Sequence, residues 1–402
     1  MAGSTAPTRL LTTAKWTGYA SLERERDGGD PLGFRAAADR VARTLSPALS
    51  QASNTTRGFG LLCLGLSLTN QYRTADELML RFERFHVLAQ VKVLHGDAPW
   101  PGKLRATRML IEATKTGKLG LDQPILDDQL SSGLWGTYRR PARLFGLIRP
   151  EGAQHNGRPS STVLTQLGLD LARRTRQRLF GSDTKKIGSW LNQDSVALDT
   201  LEAFETVDNS PTDDELEILS KGFRDFDEVH RFPYAGLYDC FLHPSSGAAA
   251  RLSALDCDRL NAEQAAVVPT GQALRVLINT VEVPYRKWMV NAAGVDLSVN
   301  LPSTQIEVWK QLPQATELAM KHLHDCLAKA EKQRHSLFEA ADAHQKWLAN
   351  ERGAAPWDRA LPDKNWGAAQ LPDFGLSAPM SLFAEGIDAR PASAAASDGD
   401  ET

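Results

Sequence analysis

The chain has only four cysteines in 402 residues, Cys63, Cys240, Cys257 and Cys326. None has paired or CxxC spacing, so a disulfide framework is not encoded and a reducing compartment is expected. Long apolar runs are also missing. The most apolar stretch, Gly58 to Leu68, is too short to span a bilayer and reads as a buried helix. The first thirty residues lack an apolar core of the signal-peptide kind, so the expectation is a cytosolic chain with no membrane partner. Catalytic signatures are scarce too: GxxxxGK[ST], HExxH and GxSxG do not occur. Gly58-Phe59-Gly60 has Cys63 where a dinucleotide loop needs its third glycine, and its flanks read as helical. No enzymatic activity, no cofactor and no metal are expected.

Two fragments come nearest to chemistry. On a helix His322 and Cys326 share a face while His324 points away, which favours ordinary packing over a metal site. Asp183-Thr184-Lys185 is half of a nuclease D-x-K pattern, but its flanks read as helical where a strand hairpin is required.

What the chain does have is an uneven distribution of charge. Hydrophobic residues at 42% and charged ones at 24% are ordinary for a globular protein long enough for two or three domains. The net charge of -3 hides a dipolar layout. From Arg139 to Lys186 eleven basic residues face three acids, and from Asp194 to Glu228 twelve acids face two bases. Phosphate is the expected partner of the basic block, although the acidic block could instead shield it within the same molecule.

The basic block coincides with a helix, hairpin, helix order. A helix ending near Leu147-Ile148 leads into a short strand, then a tip with Gly152, Asn156, Gly157 and Pro159 that needs turn geometry. Thr162 and Val163 belong to a second strand, Ser161 to Leu164, and Thr165 can cap the next helix. The helix before the hairpin, starting near Ser131 or Ser132, contains Pro141. Either two short helices meet at Arg140-Pro141 or the helix proper starts at Pro141; in the first case Tyr138, Arg139 and Arg140 face the ligand. The phrase LTQLGLDLA resembles the line that follows the wing in MarR-like and PadR-like winged-helix proteins. That resemblance implies a winged helix at about residues 98–182, a module that binds either DNA or protein. The candidate DNA contacts are Tyr138, Arg139, Arg140, Arg143, Arg173 and Arg174, with His155, Asn156 and Arg158 at the wing.

Around this module the pattern is helical. Phe34, Ala37, Val41 and Leu45 recur at helical spacing, and Thr74 to Glu77 and Thr212 to Glu215 match capping boxes. Leu104 to Ala113 is the expected first helix of the module, with Asp122 and Pro124 opening the second. His86 is expected to be a packing or surface residue. An apolar helix is expected over Gln272 to Val290, interrupted near Pro284. The stripe Leu323, Leu327, Ala330, Leu337, Ala341 and Leu348 predicts one helix over Ala315 to Asn350, and at about 1.5 Å per residue it would approach 50 Å. Such a helix either meets a partner helix, in the same chain or another, which leaves a homodimer open, or lies across its own domains. The expected fold is mainly α: a helical N-terminal lobe (1–97), a central winged helix with a β-hairpin wing (98–182), an acidic helical domain (183–300), a long helix (301–353) and an extended or disordered tail (354–402). In that tail Ala378 to Phe383 loosely resembles the peptide by which bacterial proteins dock on the replicative sliding clamp, without its usual Gln.

Trp16, the segment GDPLGFRAAADRVARTLSPALS, the apolar run after it and SGLWGTYRRPARLFGLI together resemble, in layout, an uncharacterised bacterial family encoded beside phage-defence genes. This implies an accessory role in a multi-protein DNA-targeting system, with partner proteins held by the N-terminal lobe and the 315–350 helix. A transcription regulator and a nuclease with an unrecognised site are the alternatives.

Overall fold

The computed structural model describes residues 32–50, 52–70, 74–93, 102–151, 157–180, 189–204, 210–231, 233–242, 255–289, 321–323, 325–327, 329, 337–351 and 376–391. It is mainly helical, with two small two-stranded antiparallel sheets among the described residues. In chain order the elements are α1 (Phe34–Leu45), α2 (Thr56–Thr69), α3 (Ala75–Val93), α4 (Lys103–Thr116), β1 (Lys118–Gly120), α5 (Gln129–Ser132), α6 (Leu134–Leu144), β2 (Ile148–Pro150), β3 (Thr162–Leu164), α7 (Gln166–Phe180), β4 (Ser195–Ala197), α8 (Asp213–His230), α9 (Pro233–Leu242), α10 (Ala262–Leu277), α11 (Val283–Met289), α12 (Leu337–Glu351) and α13 (Ser377–Ala384).

The chain divides into two compact units, one of residues 42–265 with 373–402 and one of residues 1–41 with 266–372. These units do not follow the five consecutive segments expected from sequence. In the first, α2 is the central helix. Its Leu, Phe, Cys and Gly side are buried all round, as an 11-residue apolar run demands, and it packs on α3, α6 and α7. Helices α2 and α3 of the expected N-terminal lobe therefore share one core with the hairpin module. Phe145 stacks on Phe223 of α8 with ring centroids 4.1 Å apart, and Phe59 of α2 meets Tyr138 of α6 edge-on at 5.1 Å. A second cluster gathers Phe85, Leu88 and Val91 of α3 with Met109, Leu119, Val196 and Leu201, and Trp190 stacks on Phe85.

Several local expectations are met. Thr212 and Glu215 form the reciprocal cap of α8, and α3 begins at Ala75. The four residues of α1 read as its apolar stripe are all buried. His86 is fully buried, and burial, with Arg57 and Arg178 nearby, holds its imidazole neutral. Asp122 does not open a helix: it pairs with Arg81 at 2.6 Å, and Asp128 caps α5 by accepting from the Ser131 amide.

Within the stretch read as a tail, α13 is buried in this unit by Leu376, Ala378, Leu382 and Phe383, and Phe383 lies edge-on to Tyr238 at 5.0 Å. Apolar side chains at helical spacing supply the burial that the flanking Pro, Ala and Ser residues cannot. The clamp-like peptide is thereby part of a core.

In the other unit, α10 passes through a π-helical turn, Ile278–Glu282, into α11, with Pro284 at the second position of α11. A wide turn before the proline relieves the clash its ring would make. Tyr285 donates to Asp342 of α12 at 3.3 Å. His344 Nε2 lies 3.2 Å from the Leu32 carbonyl, which can only accept, so Nε2 carries the proton. Of the expected 315–350 helix, Leu337–Glu351 is observed as α12; residues 315–320 and 330–336 lie outside the described residues.

Candidate nucleic-acid interface

The β2–β3 hairpin forms where the sequence places it. Ile148, Arg149 and Pro150 pair antiparallel with Leu164, Val163 and Thr162. Thr165 caps α7 by accepting from the Gly168 amide at 3.2 Å, and its hydroxyl also donates to the carbonyls of Gly146 and Leu147. β1 stands outside this hairpin and pairs with β4.

The helix before the hairpin is α6, and it runs through Pro141. Neither expected break is present. Pro141 is tolerated near the C-terminal end of an eleven-residue helix whose inner face is strongly anchored. Leu134, Trp135, Tyr138, Ala142 and the following Phe145 are all buried, at helical spacing. The opposite face carries Gly136, Arg139, Arg140 and Arg143, all exposed, and the helix contains no acid.

This geometry removes Tyr138 from the set of ligand contacts. It is 3% exposed, its ring packs where any Cβ on Gly58 would collide, and its hydroxyl shares a 3.0 Å hydrogen bond with Thr55. Burial pushes its phenol up to about 12. Two short helices meeting at Arg140-Pro141 would face Tyr138 to the ligand; in the continuous helix the 3.6-residue period turns it into the core.

The arginines split into two groups. On α6, Arg139 donates to the Gly157 carbonyl at the end of the hairpin loop and lies over the Trp135 ring, 5.7 Å from its centroid. Arg140 donates to the Pro47 carbonyl at 3.1 Å, and partial burial with Arg43 nearby lowers its pKa. Arg143 and, on β2, Arg149 are exposed and have no ion-pair partner among the described residues. On α7 the pattern is opposite. Arg173 pairs with Asp170 at 3.0 Å, Arg174 with Asp214 at 2.8 Å, and the largely buried Arg178 with Glu215 at 2.8 Å. The N-terminus of the acidic α8 thus neutralises part of the basic α7 within the molecule. Arg158 lies 3.7 Å from Asp76. His155 and Asn156 lie outside the described residues, as do Asp183 to Lys185.

Arg149 is a surface cation outside the contacts expected from sequence, though the order Ile148-Arg149-Pro150 on a two-residue strand period already signals an outward residue. Elsewhere, His322 Nδ1 lies 3.1 Å from His344 Nδ1 and 3.6 Å from Cys326 Sγ, so His322 and Cys326 do share a face. Among the described residues no group of three or more His, Cys, Asp or Glu is arranged to hold a metal ion, and no helix is long and apolar enough to cross a membrane. No protein-family model, curated protein or solved structure matches the chain.

Proposed function

We propose that this protein is a DNA-binding accessory subunit that engages the duplex backbone through a winged-helix-like module, α4 to α7, with α6 as the helix laid against DNA. The observation that carries the reading is the α6 surface. Arg139, Arg140 and Arg143 line an acid-free helical face, and Arg139 and Arg140 donate to carbonyls, which leave their positive charge uncancelled. Arg149 on the adjoining strand adds a further cation without an ion-pair partner among the described residues. Guanidinium groups of this kind suit phosphate oxygens, and the mutual repulsion of Arg139, Arg140 and Arg143 at three- and four-residue spacing is relieved when an anion binds. The accessory role in a DNA-targeting, anti-phage system, with partner proteins held by other helices, is part of the same proposal and rests on the sequence layout.

The test is a fluorescence anisotropy titration of a labelled duplex at several salt concentrations with wild type and the triple variant Arg139→Ala, Arg143→Ala, Arg149→Ala. Each lost phosphate contact should reduce the slope of log affinity against log salt by about 0.9. The triple variant is therefore expected to bind more weakly with a slope smaller by about 2 to 3. An unchanged affinity and slope would remove α6 and β2 from the interface.

A further inference from the structure

The N-terminus of α6 has an unusual construction. Its N-cap residue is Gly133, which has no side chain to accept from the first helical amides. Buried helix ends without such partners are costly. The missing acceptor comes from α3: Glu83 Oε1 accepts from the Leu134 amide at 2.8 Å. A Cβ on Gly133 would run into that carboxylate, so the glycine is the space the carboxylate fills.

Glu83 is itself fixed. Its Oε2 accepts from Gln129 Nε2 at 3.1 Å, and the same amide donates to the Leu80 carbonyl at 2.9 Å. Gln129 Oε1 accepts from Arg84 Nε at 2.9 Å, and Arg84 Nη1 donates to the Leu121 carbonyl at 2.7 Å. Glu83, Arg84 and Gln129 are all buried. A polar chain under the surface therefore ties α5 and the start of α6 to α3, where a carboxylate also complements the positive end of the α6 dipole.

We propose that Glu83 is the positioning residue of the DNA-contacting face: its ionised carboxylate holds the first turn of α6, and with it the register of Arg139, Arg140 and Arg143 against the duplex. This inference rests on the proposed DNA-binding reading. Burial pushes the Glu83 carboxyl up to about 7, opposed by the Leu134 and Gln129 hydrogen bonds and by the charge of Arg84, which itself faces Asp122, Glu77 and Arg81. The elements packed against it, α5 and α6, meet it with the Gln129 amide and the Leu134 backbone. The Leu134 amide favours the ionised form, so while Glu83 stays buried its local hold on the first turn of α6 weakens as pH falls through neutrality, even though protonation opposes global unfolding, which returns the carboxyl to water.

The experiment measures duplex affinity and hydrogen exchange of residues 129–138 on the full chain from pH 6 to 8, for wild type and Glu83→Gln. Exchange rates are corrected for the intrinsic pH dependence of the amides. At pH 8, Glu83→Gln is expected to bind about fivefold more weakly and to exchange about fivefold faster at 129–138, the size of a lost helix cap. Toward pH 6 the two proteins should converge. A wild type whose affinity ratio to Glu83→Gln stays constant across the range, or whose 129–138 protection does not change with pH, overturns the positioning role. Because the wild-type exchange profile needs no variant, it decides the matter even if Glu83→Gln fails to fold. If wild type binds no duplex while its exchange profile follows pH as described, the DNA reading has failed and the capping role stands.

Discussion

Helices α6 and α7 carry similar numbers of arginines and flank the same hairpin, yet they use them in opposite ways. On α6 the guanidinium groups are turned outward, two of them donating to carbonyls; on α7 three of them are held by Asp170, Asp214 and Glu215. The difference lies in what packs alongside. Helix α8 begins with Asp213, Asp214 and Glu215, and it packs on α7. A basic block in sequence is therefore two surfaces in space: one compensated by its own chain, the other without an acidic partner among the described residues. The two helices also start differently, since α7 is capped by its own preceding Thr165 and α6 by a buried carboxylate from α3.

The sharpest way to break this comparison is to remove one arginine from each helix and measure urea unfolding. Arg178 pairs with Glu215 in a site where both side chains are largely buried and Thr175 adds a 2.7 Å bond to the same carboxylate. Arg178→Ala leaves that carboxylate without its cation and should cost about 3 to 5 kcal/mol. Arg143→Ala removes an exposed side chain and should stay within about 0.5 kcal/mol. Equal costs would mean that α6 uses its arginines structurally, as α7 does.

The caps give the next largest contrast. Burial pushes Glu83, and likewise Asp227, whose carboxylate accepts from the Tyr234 and Ala235 amides at the start of α9, up from the ordinary carboxylate range to about 7. A carboxyl whose folded pKa is raised holds a proton that the unfolded chain releases. Its contribution to stability is therefore fully present below the unfolded value and is lost as pH rises from about 4.5 toward 7 for Glu83, and from about 3.8 toward 7 for Asp227. The loss is up to about 1.4 kcal/mol per pH unit for each group. Unfolding curves at pH 5 and 7.5 should show Glu83→Gln with a flatter dependence than wild type. Thr165→Ala on α7 removes a cap that does not titrate there, so it should cost about 1 kcal/mol equally at both pH values. A pH-dependent cost for Thr165→Ala would erase the distinction between the two helix starts.

Much of this arrangement was legible in the sequence. The hairpin, the apolar α2, the Thr212 capping box and the stripe of α1 follow from turn residues, hydrophobic period and local hydrogen bonding, all of which act over a few residues. Long-range pairing was not legible. Nothing local to Arg174 names Asp214, forty residues on, although the dipolar charge layout offered it as an option. Glu83 and Gly133 are likewise ordinary until the fold brings them together. Tyr138 could have been assigned inward from its spacing to Leu134, Trp135 and Ala142. The burial of α13 needed Phe223 and Tyr238 to be known as its neighbours.

The smallest effect is the most discriminating for function. Arg174 and Asp214 are each about half exposed, so their ion pair is screened by solvent and should contribute about 0.2 to 1 kcal/mol in a double-mutant cycle. Asp214→Asn hardly alters stability but frees the guanidinium. If α7 lies within reach of bound DNA, the released cation should add one phosphate contact, and the salt dependence of duplex binding should steepen by about 0.9. A slope unchanged in Asp214→Asn but reduced in the α6 triple variant would confine the interface to α6 and the hairpin, leaving the basic face of α7 as a surface whose electrostatic partner is its own neighbouring helix.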